Sequence, residues 1–141
     1  MEWNVVCYEE IDSTNTQVKR IAKEGAEQGL VVTADKQSAG KGRRGRVWES
    51  PEGTNLYFSI LLRPVLEPNK APMLTLVMAY SVAKVIGSQE GLPVEIKWPN
   101  DLVLEKKKIC GILTEMGLSG SRIADVVIGV GINVNTTDFP E

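Results

Sequence analysis

The sequence predicts an α+β fold, with a mixed, mostly antiparallel sheet and helices packed on one face. Predicted strands outnumber predicted helices, and the later strands follow one another through short turns, as antiparallel hairpins do. Residues 124–134 form a near-continuous apolar run, which is typical of a central strand covered on both sides. The chain has 141 residues and is 43% hydrophobic, which is enough for one domain with its own core.

The first half is predicted to place one helix between strands. Residues 3–11 are rich in aromatic and β-branched residues, residues 30–34 form a short apolar run, and residues 55–63 are the clearest strand of the chain. After the first strand, three apolar residues recur at helical spacing: Val18, Ile21 and Ala22. Gly25 and Gly29 are expected to end this helix.

The second half is predicted to hold one helix followed by hairpins. Pro72 suits a first helical turn, and the broad apolar face of this helix reaches Ile86 before Gly87 ends it. Residues 94–98 form a strand that Pro99 interrupts. The remaining elements are a hairpin, a turn and the central strand: residues 102–104 with 109–116 about a turn at 105–107, residues 117–121, and residues 124–134.

A long polar loop, residues 35–50, contains the glycine-rich basic motif Gly40-Lys41-Gly42-Arg43-Arg44-Gly45-Arg46, followed by Val47 and Trp48. Successive backbone N–H groups in such a loop form an anion-binding concavity, and arginine adds bidentate donors. The motif therefore suggests a loop that closes over an anionic small molecule. A solvated basic loop and a nucleic-acid patch are the alternatives, and together they explain this motif, taken alone, equally well.

The charge distribution favours a focused anion site over a general nucleic-acid binder. The net charge of the chain is −2. Without the four cations of the motif, the net charge would be more negative by four units, so the rest of the chain is acidic. A nucleic-acid binder usually spreads basic charge over a face and offers aromatic rings for base stacking. Trp48 is the only aromatic residue near this loop. We therefore expect no DNA partner.

The composition excludes several kinds of chemistry. The chain has no histidine, which excludes histidine-based zinc sites and catalytic triads. Cys7 and Cys110 are far apart and in no metal-ligand spacing, so we expect reduced thiols and a cytoplasmic location. No signal pattern opens the chain, and we expect no apolar run long enough to span a membrane.

Polar groups interrupt otherwise structural sequence at four further places. Ser13, Thr14 and Asn15 precede the first helix and would serve equally well as simple helix caps. Lys108 stands on the predicted face of Cys110 and Ile112, and it is either a charge at a hairpin end or a cation held in a pocket. The other two places are the segment Lys97-Trp98-Pro99-Asn100-Asp101 and Asn133, whose buried amide would need hydrogen-bond partners.

Taken together, these segments resemble the biotin–protein ligase family, also called biotin–[acetyl-CoA-carboxylase] ligase. The order and approximate spacing of five motifs agree with the family along the whole chain: Asp12-Ser13-Thr14-Asn15, the segment from Gln37 to Trp48, Lys97-Trp98-Pro99-Asn100-Asp101, Lys108-Ile109-Cys110-Gly111-Ile112-Leu113 and Gly129-Val130-Gly131-Ile132-Asn133-Val134. One glycine- and arginine-rich loop is weak evidence, but five motifs in register are strong. The resemblance implies part of a catalytic domain like that of class II aminoacyl-tRNA synthetases.

The resemblance also implies a reaction in two half-steps. Biotin's carboxylate attacks the α-phosphate of Mg-ATP to give biotinyl-5′-AMP and pyrophosphate, and a lysine of a biotin carboxyl carrier domain then attacks the mixed anhydride. Two anions must meet, so cations are needed where charge develops. The carboxylate is itself the nucleophile, so the absence of histidine is no objection. The implied partners are biotin, ATP and a carboxylase carrier domain, and a homodimer is compatible with the resemblance.

The family pattern implies that ten residues bind biotin: Ser13, Thr14, Asn15, Gln37, Gly40, Lys41, Arg43, Trp48, Lys108 and Gly111. Ser13, Thr14 and Gln37 would meet the polar ureido end, and Trp48 would help to wall the apolar thiophene end. At the Gly40–Lys41 segment the backbone would make the contact.

A second set of residues is implied to meet the nucleotide: Arg43, Arg46, Trp98, Asn100, Asp101, Lys108 and Asn133. Three of these are also the implied catalytic residues: Lys108, Arg43 and Arg46. Lys108 would bridge the biotin carboxylate and the α-phosphate, and Arg43 would close over the adenylate and shield it from water. No protein metal ligand is implied, and Mg²⁺ would enter with ATP.

The sequence departs from the family pattern in several respects. Lys41 stands where the family usually has arginine, which matters only if that side chain makes a bidentate contact. The pattern starts at residue 3, so we expect no N-terminal helix-turn-helix. The last residues, Asp138–Glu141, directly follow a buried strand. We therefore expect residues 1–141 to be the N-terminal portion of the catalytic domain, without the family's C-terminal β-barrel, and the activity of this portion alone is an open question.

Three alternative functions remain at this point. A lipoate–protein ligase-like enzyme has a similar fold and chemistry, although the arginine-rich loop and the Lys97–Asp101 segment favour biotin. A non-catalytic fragment could bind biotin without adenylating it. A nucleic-acid binder with a basic loop is the third.

Overall fold

The computed structural model describes residues 1–135, so the segment Asp138–Glu141 lies outside the described residues. Within residues 1–135 the chain forms seven strands, two α-helices and two short 3₁₀ turns. In chain order the strands and α-helices are β1 (Asn4–Ile11), α1 (Thr14–Lys23), β2 (Leu30–Gln37), β3 (Asn55–Leu62), α2 (Pro72–Glu90), β4 (Glu95–Lys97), β5 (Asp101–Leu104), β6 (Lys107–Ser119) and β7 (Arg122–Asn133). The predicted elements are all present, with changed boundaries at several ends.

All seven strands form one sheet in the order β1-β2-β3-β7-β6-β5-β4. The pair β1–β2 is parallel, as expected because helix α1 connects its strands, and every other neighbouring pair is antiparallel. Strand β7 lies in the centre of the sheet, where its run Val126-Val127-Ile128 is fully covered. The predicted α+β class and mostly antiparallel sheet are confirmed.

The two α-helices pack on opposite faces of this sheet, so the prediction of helices on one face is wrong. Val18 and Ala22 of α1 pack in one cluster with Val127 of β7. Ala79 and Val82 of α2 pack in another cluster, against three side chains of β7: Val126, Ile128 and Val130. Alternate residues of a strand point to opposite faces, so a near-continuous apolar strand can pack against a helix on each face of the sheet. We call the α1 side the cleft face.

Helix α2 is longer and less covered than predicted. It runs through Gly87 to Glu90, and Gly91 ends it in a left-handed conformation with φ of 67°. Together with the 3₁₀ turn before it, it is the one helix of residues 1–135 that is long and apolar enough to cross a membrane. The expectation that the chain has no segment long and apolar enough to span a membrane is therefore wrong. Length and composition alone are weak evidence for a membrane span, because the inner side of α2 packs against the sheet.

Other boundaries also differ from the prediction. Strand β6 continues through the predicted turn at 117–121 as far as Ser119, which leaves only a tight turn about Gly120. The predicted loop at 35–50 is shorter, because β2 extends to Gln37 and a bridge joins Lys41 to Val47. We call residues 40–48 the basic loop.

Candidate functional site

An open cleft lies above the cleft face, between the start of α1, the basic loop and the ends of β5, β6 and β7. Its volume is about 1190 Å³. This volume lies just above the range of about 300–1,000 Å³ that is usual for a small-molecule pocket. The motifs that lie far apart in the sequence therefore meet at one place in the fold.

One end of the cleft is formed by the first turn of α1, where buried polar groups cluster. Ser13 caps the helix, and its Oγ accepts a hydrogen bond from the Thr16 backbone N–H at 3.3 Å, which confirms the capping interpretation. The Thr14 backbone N–H donates to Oε1 of Gln37 at 2.8 Å, and Nε2 of Gln37 donates to Oγ of Ser50 at 2.9 Å. These bonds hold Ser13, Thr14 and Gln37 against the cleft, which all three line.

Asn15 lines the same end, but its polar atoms are used inside the protein. Its Oδ1 accepts from Oγ of Ser59 at 2.5 Å, and its Nδ2 donates to Oε1 of Glu115 at 3.0 Å. Glu115 is in turn ion-paired with Lys19 on the next turn of α1. Burial alone would raise the pKa of Glu115, but hydrogen bonds from Lys19 and Asn15 outweigh it and hold that pKa below its ordinary value.

The middle of the cleft contains the indole of Trp48, which lies flat against two glycines of the sheet. A Cβ atom on Gly111 would lie 2.7 Å from the Trp48 ring, and one on Gly131 would lie 2.4 Å from its Nε1. Neither strand position therefore tolerates a side chain while Trp48 keeps its place. The indole N–H is buried against the sheet and has no hydrogen-bond partner within residues 1–135.

Lys108 reaches the cleft because of a β-bulge. In the β5–β6 pairing, Leu102 lies opposite Cys110 but Val103 lies opposite Lys108, so Ile109 is the extra residue. Cys110 and Ile109 both pack in the α2-side cluster. The bulge turns Lys108 away from Cys110 and onto the cleft face, so the predicted shared face is wrong.

The ammonium of Lys108 has two neighbours in the cleft. Its Nζ lies 5.2 Å from the centre of the Trp48 ring and 3.2 Å from Oδ1 of Asp101, close enough for an ion pair although hydrogen-bond geometry is not met. Lys108 is still about half exposed. An ammonium group that contacts one ring face and one carboxylate can still bind a further anion. The structure thus favours a cation in a pocket over a charge at a hairpin end.

Asn100 connects the basic loop to strand β6. Its Nδ2 donates to the carbonyl of Ile112 at 3.0 Å, and its Oδ1 accepts from Nη1 of Arg43 at 3.2 Å. Because both ends of the Asn100 amide are used, this residue aims the guanidinium of Arg43 across the cleft.

The other cations of the basic loop remain without ion pairs in the part of the chain that the structure describes. Lys41, Arg44 and Arg46 are exposed at the cleft rim. Arg44 has φ of 57°, a left-handed conformation that is uncommon for a residue with a side chain. Several unpaired positive charges on one rim give the cleft a local positive potential suited to anionic ligands.

The structure brings together most of the predicted site residues. Thirteen of them line the cleft: Ser13, Thr14, Asn15, Gln37, Lys41, Arg43, Arg46, Trp48, Asn100, Asp101, Lys108, Gly111 and Asn133. Gly40 and Trp98 do not. Gly40 lies behind Trp48, whose backbone N–H donates to its carbonyl at 2.9 Å, and Trp98 is 75% exposed. Their contacts with biotin and the nucleotide stay predictions.

Sequence reasoning missed several polar residues of the site. Ser50 supports Gln37, while Ser59 and Glu115 support Asn15. One signal was present for Ser59, since a serine within the apolar strand Asn55–Leu62 must find a partner when buried. Lys107 also lines the cleft, beside Lys108.

A mixed sheet with a helix on each face and a cationic cleft above its central strands defines this chain as an α+β domain whose cleft is suited to anionic ligands. More specifically, the chain belongs to the Biotin/lipoate A/B protein ligase family, whose family model matches residues 7–133. This match includes every residue of the site, from Ser13 to Asn133, and it confirms the family resemblance read from the five motifs.

Relatives and solved structures agree with this assignment. The bifunctional ligase/repressor BirA of Bacillus spizizenii is 43% identical over 143 residues, covering 100% of this chain and 44% of that protein. The biotin–[acetyl-CoA-carboxylase] ligase of Paracoccus denitrificans is 38% identical over 125 residues, covering 87% of this chain and 51% of that protein. The chain thus spans about half the length of these relatives.

The structural comparison gives the same family. The biotin protein ligase from Aquifex aeolicus in complex with biotin and ATP is similar with a TM-score of 0.75 and 36% identity, covering 98% of this chain and 55% of that one. The biotin protein ligase from Leishmania major in complex with biotinyl-5-AMP gives a TM-score of 0.77 and 28% identity, covering 98% and 59%.

Proposed function

We propose that this chain carries the biotin- and ATP-binding part of a biotin–protein ligase. The observation that carries the proposal is the meeting, in one cleft, of a buried polar end at Ser13 and Thr14 and a cationic end at Lys108 and Arg43. Biotin has a polar ureido ring at one end and a carboxylate at the other, so its two ends match the two ends of the cleft. The related ligases solved with biotin and ATP support the choice of ligands.

The first half-step joins two anions. A carboxylate oxygen of biotin attacks the α-phosphorus of ATP, the new O–P bond forms, and the bond from that phosphorus to the β-phosphate oxygen breaks, so that pyrophosphate leaves with the electron pair. Lys108 would lie beside both anions and offset the charge that develops between them. Mg²⁺ is part of the ATP substrate.

The second half-step transfers the biotinyl group to an acceptor. The neutral amine of a lysine on a biotin carboxyl carrier domain attacks the acyl carbon, the C–N bond forms, and the bond from that carbon to the phosphate oxygen breaks to release AMP. The amine loses its proton to water. Arg43, which Asn100 aims across the cleft, would hold the adenylate phosphate during this step.

A lipoate–protein ligase-like activity is the second candidate, because the family model includes both activities. The polar end of the cleft favours biotin. The dithiolane ring of lipoate has no N–H or carbonyl group, so the hydrogen-bonding capacity that Ser13 and Thr14 keep toward the cleft would stay unused, at a cost of about 1–3 kcal/mol for each buried group.

To test this proposal, the chain is incubated with radiolabelled biotin, ATP, Mg²⁺ and a carboxylase carrier domain. Pyrophosphate release and labelling of the carrier domain are then measured. A parallel reaction contains lipoate in place of biotin. Biotin-dependent release of pyrophosphate with carrier labelling supports the full proposal, whereas release without labelling restricts the chain to adenylation. Binding of biotin without pyrophosphate release would indicate a non-catalytic binding fragment, and faster reaction with lipoate would overturn the choice of biotin.

A further inference from the structure

We propose that a buried series of hydrogen bonds fixes the Thr14 hydroxyl as an acceptor toward the cleft, so that it selects a ring N–H of the ligand. The series runs through five residues, which we call the relay: Lys19, Glu115, Asn15, Ser59 and Thr14. The inference rests on the proposed function, because it takes the ureido ring of biotin as the ligand at Thr14. It gives a role to Lys19, Glu115 and Ser59, which are not among the predicted site residues.

The relay begins at a group that can only accept. The Glu115 carboxylate is ion-paired with Lys19, and its pKa is held below the ordinary value, so it is ionised at neutral pH. An ionised carboxylate has no hydrogen to donate. Glu115 therefore requires a donor from Asn15.

That requirement fixes which way the Asn15 amide points. Its Nδ2 lies 3.0 Å from Glu115 Oε1 and 3.4 Å from the carbonyl oxygen of Leu113, and both of these atoms are acceptors. The NH₂ group must face them, so the Asn15 Oδ1 must face Ser59. Gly129 lies directly against this amide, since a Cβ there would be 2.2 Å from Oδ1, and the close packing holds the Asn15 side chain in place.

The direction of the next two bonds follows. Oγ of Ser59 lies 2.5 Å from Asn15 Oδ1, which cannot donate, so Ser59 must use its single hydrogen on this bond. Ser59 is completely buried and also lies 2.7 Å from Oγ1 of Thr14. With its hydrogen already used, Ser59 can only accept there, so Thr14 is the donor.

Thr14 then has only lone pairs left for the cleft. Its neighbour Ser13 can instead donate to the cleft. The Ser13 oxygen accepts from the Thr16 N–H, while the Ser13 hydroxyl hydrogen has no protein acceptor within residues 1–135. An acceptor and a donor thus stand side by side at the polar end of the cleft. A cyclic urea presents the complementary pair, an N–H beside a carbonyl oxygen.

The specificity test uses two analogues of biotin in which one or the other ring N–H is replaced by oxygen, giving cyclic carbamates. Thr14 can face only one of the two nitrogens, so one analogue would place oxygen against its lone pairs. Isothermal titration calorimetry of the wild-type chain should then show that this analogue binds roughly tenfold to hundredfold more weakly than biotin, as expected for an unpaired buried group.

Two variants interrupt the relay without touching the ligand. Glu115→Gln keeps the shape of the side chain but can donate, which lets the Asn15 amide turn and frees the Thr14 hydrogen. Ser59→Ala removes the acceptor of that hydrogen. In both variants the discrimination against this one analogue should fall at least about fivefold, while the other analogue should bind unchanged relative to biotin. Glu67→Gln, which removes an exposed ion pair with Lys70, is the matched control and should keep the wild-type ratios.

The outcomes separate the relay from the proposed function. Wild-type chain that binds no biotin would overturn the proposed function. Wild-type chain that binds biotin, with ratios that stay constant in folded Glu115→Gln and Ser59→Ala variants, would overturn the relay alone. Neutron diffraction of the ligand-free chain tests the relay without any ligand. The deuterium of Thr14 should point at Ser59 Oγ, and a deuterium pointing into the cleft would overturn the inference.

Discussion

Lys108 and Cys110 point to opposite faces of the sheet, although they stand two residues apart on one strand. The bulge at Ile109 is the cause, because it shifts the register of β6 against β5 by one residue. Cys110 is fully buried against the α2 side, while the Lys108 ammonium lies above the Trp48 ring in the cleft. One inserted residue thus moves a side chain from the core face to the cleft.

The position of Lys108 predicts a separable effect on the chemistry. Lys108→Ala should reduce biotin-dependent pyrophosphate release by at least about a hundredfold, because it removes a cation from the point where two anions meet. Biotin affinity should fall by less than about tenfold, since the ureido contacts remain. Calorimetry and a pyrophosphate assay measure the two effects. Lys84→Ala, on the exposed side of α2, is the control and should change neither.

The two cysteines should differ sharply in reactivity. Burial is the main cause that raises the pKa of Cys110 to about 12, with the Asp101 charge adding to it, so the Cys110 thiol stays protonated at pH 8. Cys7 is exposed on β1. Titration of the native chain with a disulfide reagent at pH 8 should modify one thiol rapidly, and Cys7→Ser should abolish that phase. A rapid second phase at Cys110 would contradict its buried position.

Gly131 should not tolerate a side chain. Gly131→Ala would bring a methyl group against the Trp48 indole, and we expect a loss of about 1–3 kcal/mol in the free energy of unfolding, as for other overpacked sites. Trp48 emission should shift to the red, since the ring must leave the sheet. Gly87→Ala is the control, because Gly87 lies inside α2 with no atom closer than 3.7 Å to the added methyl group. It should gain about 0.5–1 kcal/mol.

The ion pair of Glu115 should contribute stability only above a certain pH. Its pKa is lowered on folding, so its contribution is present above the unfolded value near 4.5 and is lost as the pH falls through the folded value. At pH 7 Glu115→Gln should lower the free energy of unfolding by about 0.5–1 kcal/mol, because solvent screens a partly exposed pair. The difference between variant and wild type should shrink below pH 4. Urea denaturation at both pH values measures it, and a constant difference would contradict the assigned ion pair.

Local sequence was sufficient for most of the fold. Strand and helix starts follow from short-range signals, such as Ser13 as a cap and Pro72 in a first turn, and both lie where predicted. The helix end at Gly91 was missed because Gly87 offers the same signal, and the choice between them depends on tertiary packing. The placement of α1 and α2 on opposite faces depends on which alternate residues of β7 each helix meets, which no local pattern states.

The composition of the site could also be predicted, but not its internal arrangement. The five motifs identified most of the residues that line the cleft. The bulge at Ile109 could not be predicted, because it arises from pairing between two strands and not from either strand alone. The roles of Ser59 and Glu115 were missed for a similar reason. Each becomes meaningful only when Asn15, far away in the sequence, packs against it.

The most direct test of how this cleft works is a crystal structure of the chain with a stable analogue of biotinyl-5′-AMP. The ureido ring should lie at Ser13 and Thr14, and the acyl–phosphate junction should lie within about 4 Å of the Lys108 ammonium, the usual limit for an ion pair. An adenylate bound in the reverse direction, or one whose junction lies away from Lys108, would contradict the proposed function at its centre.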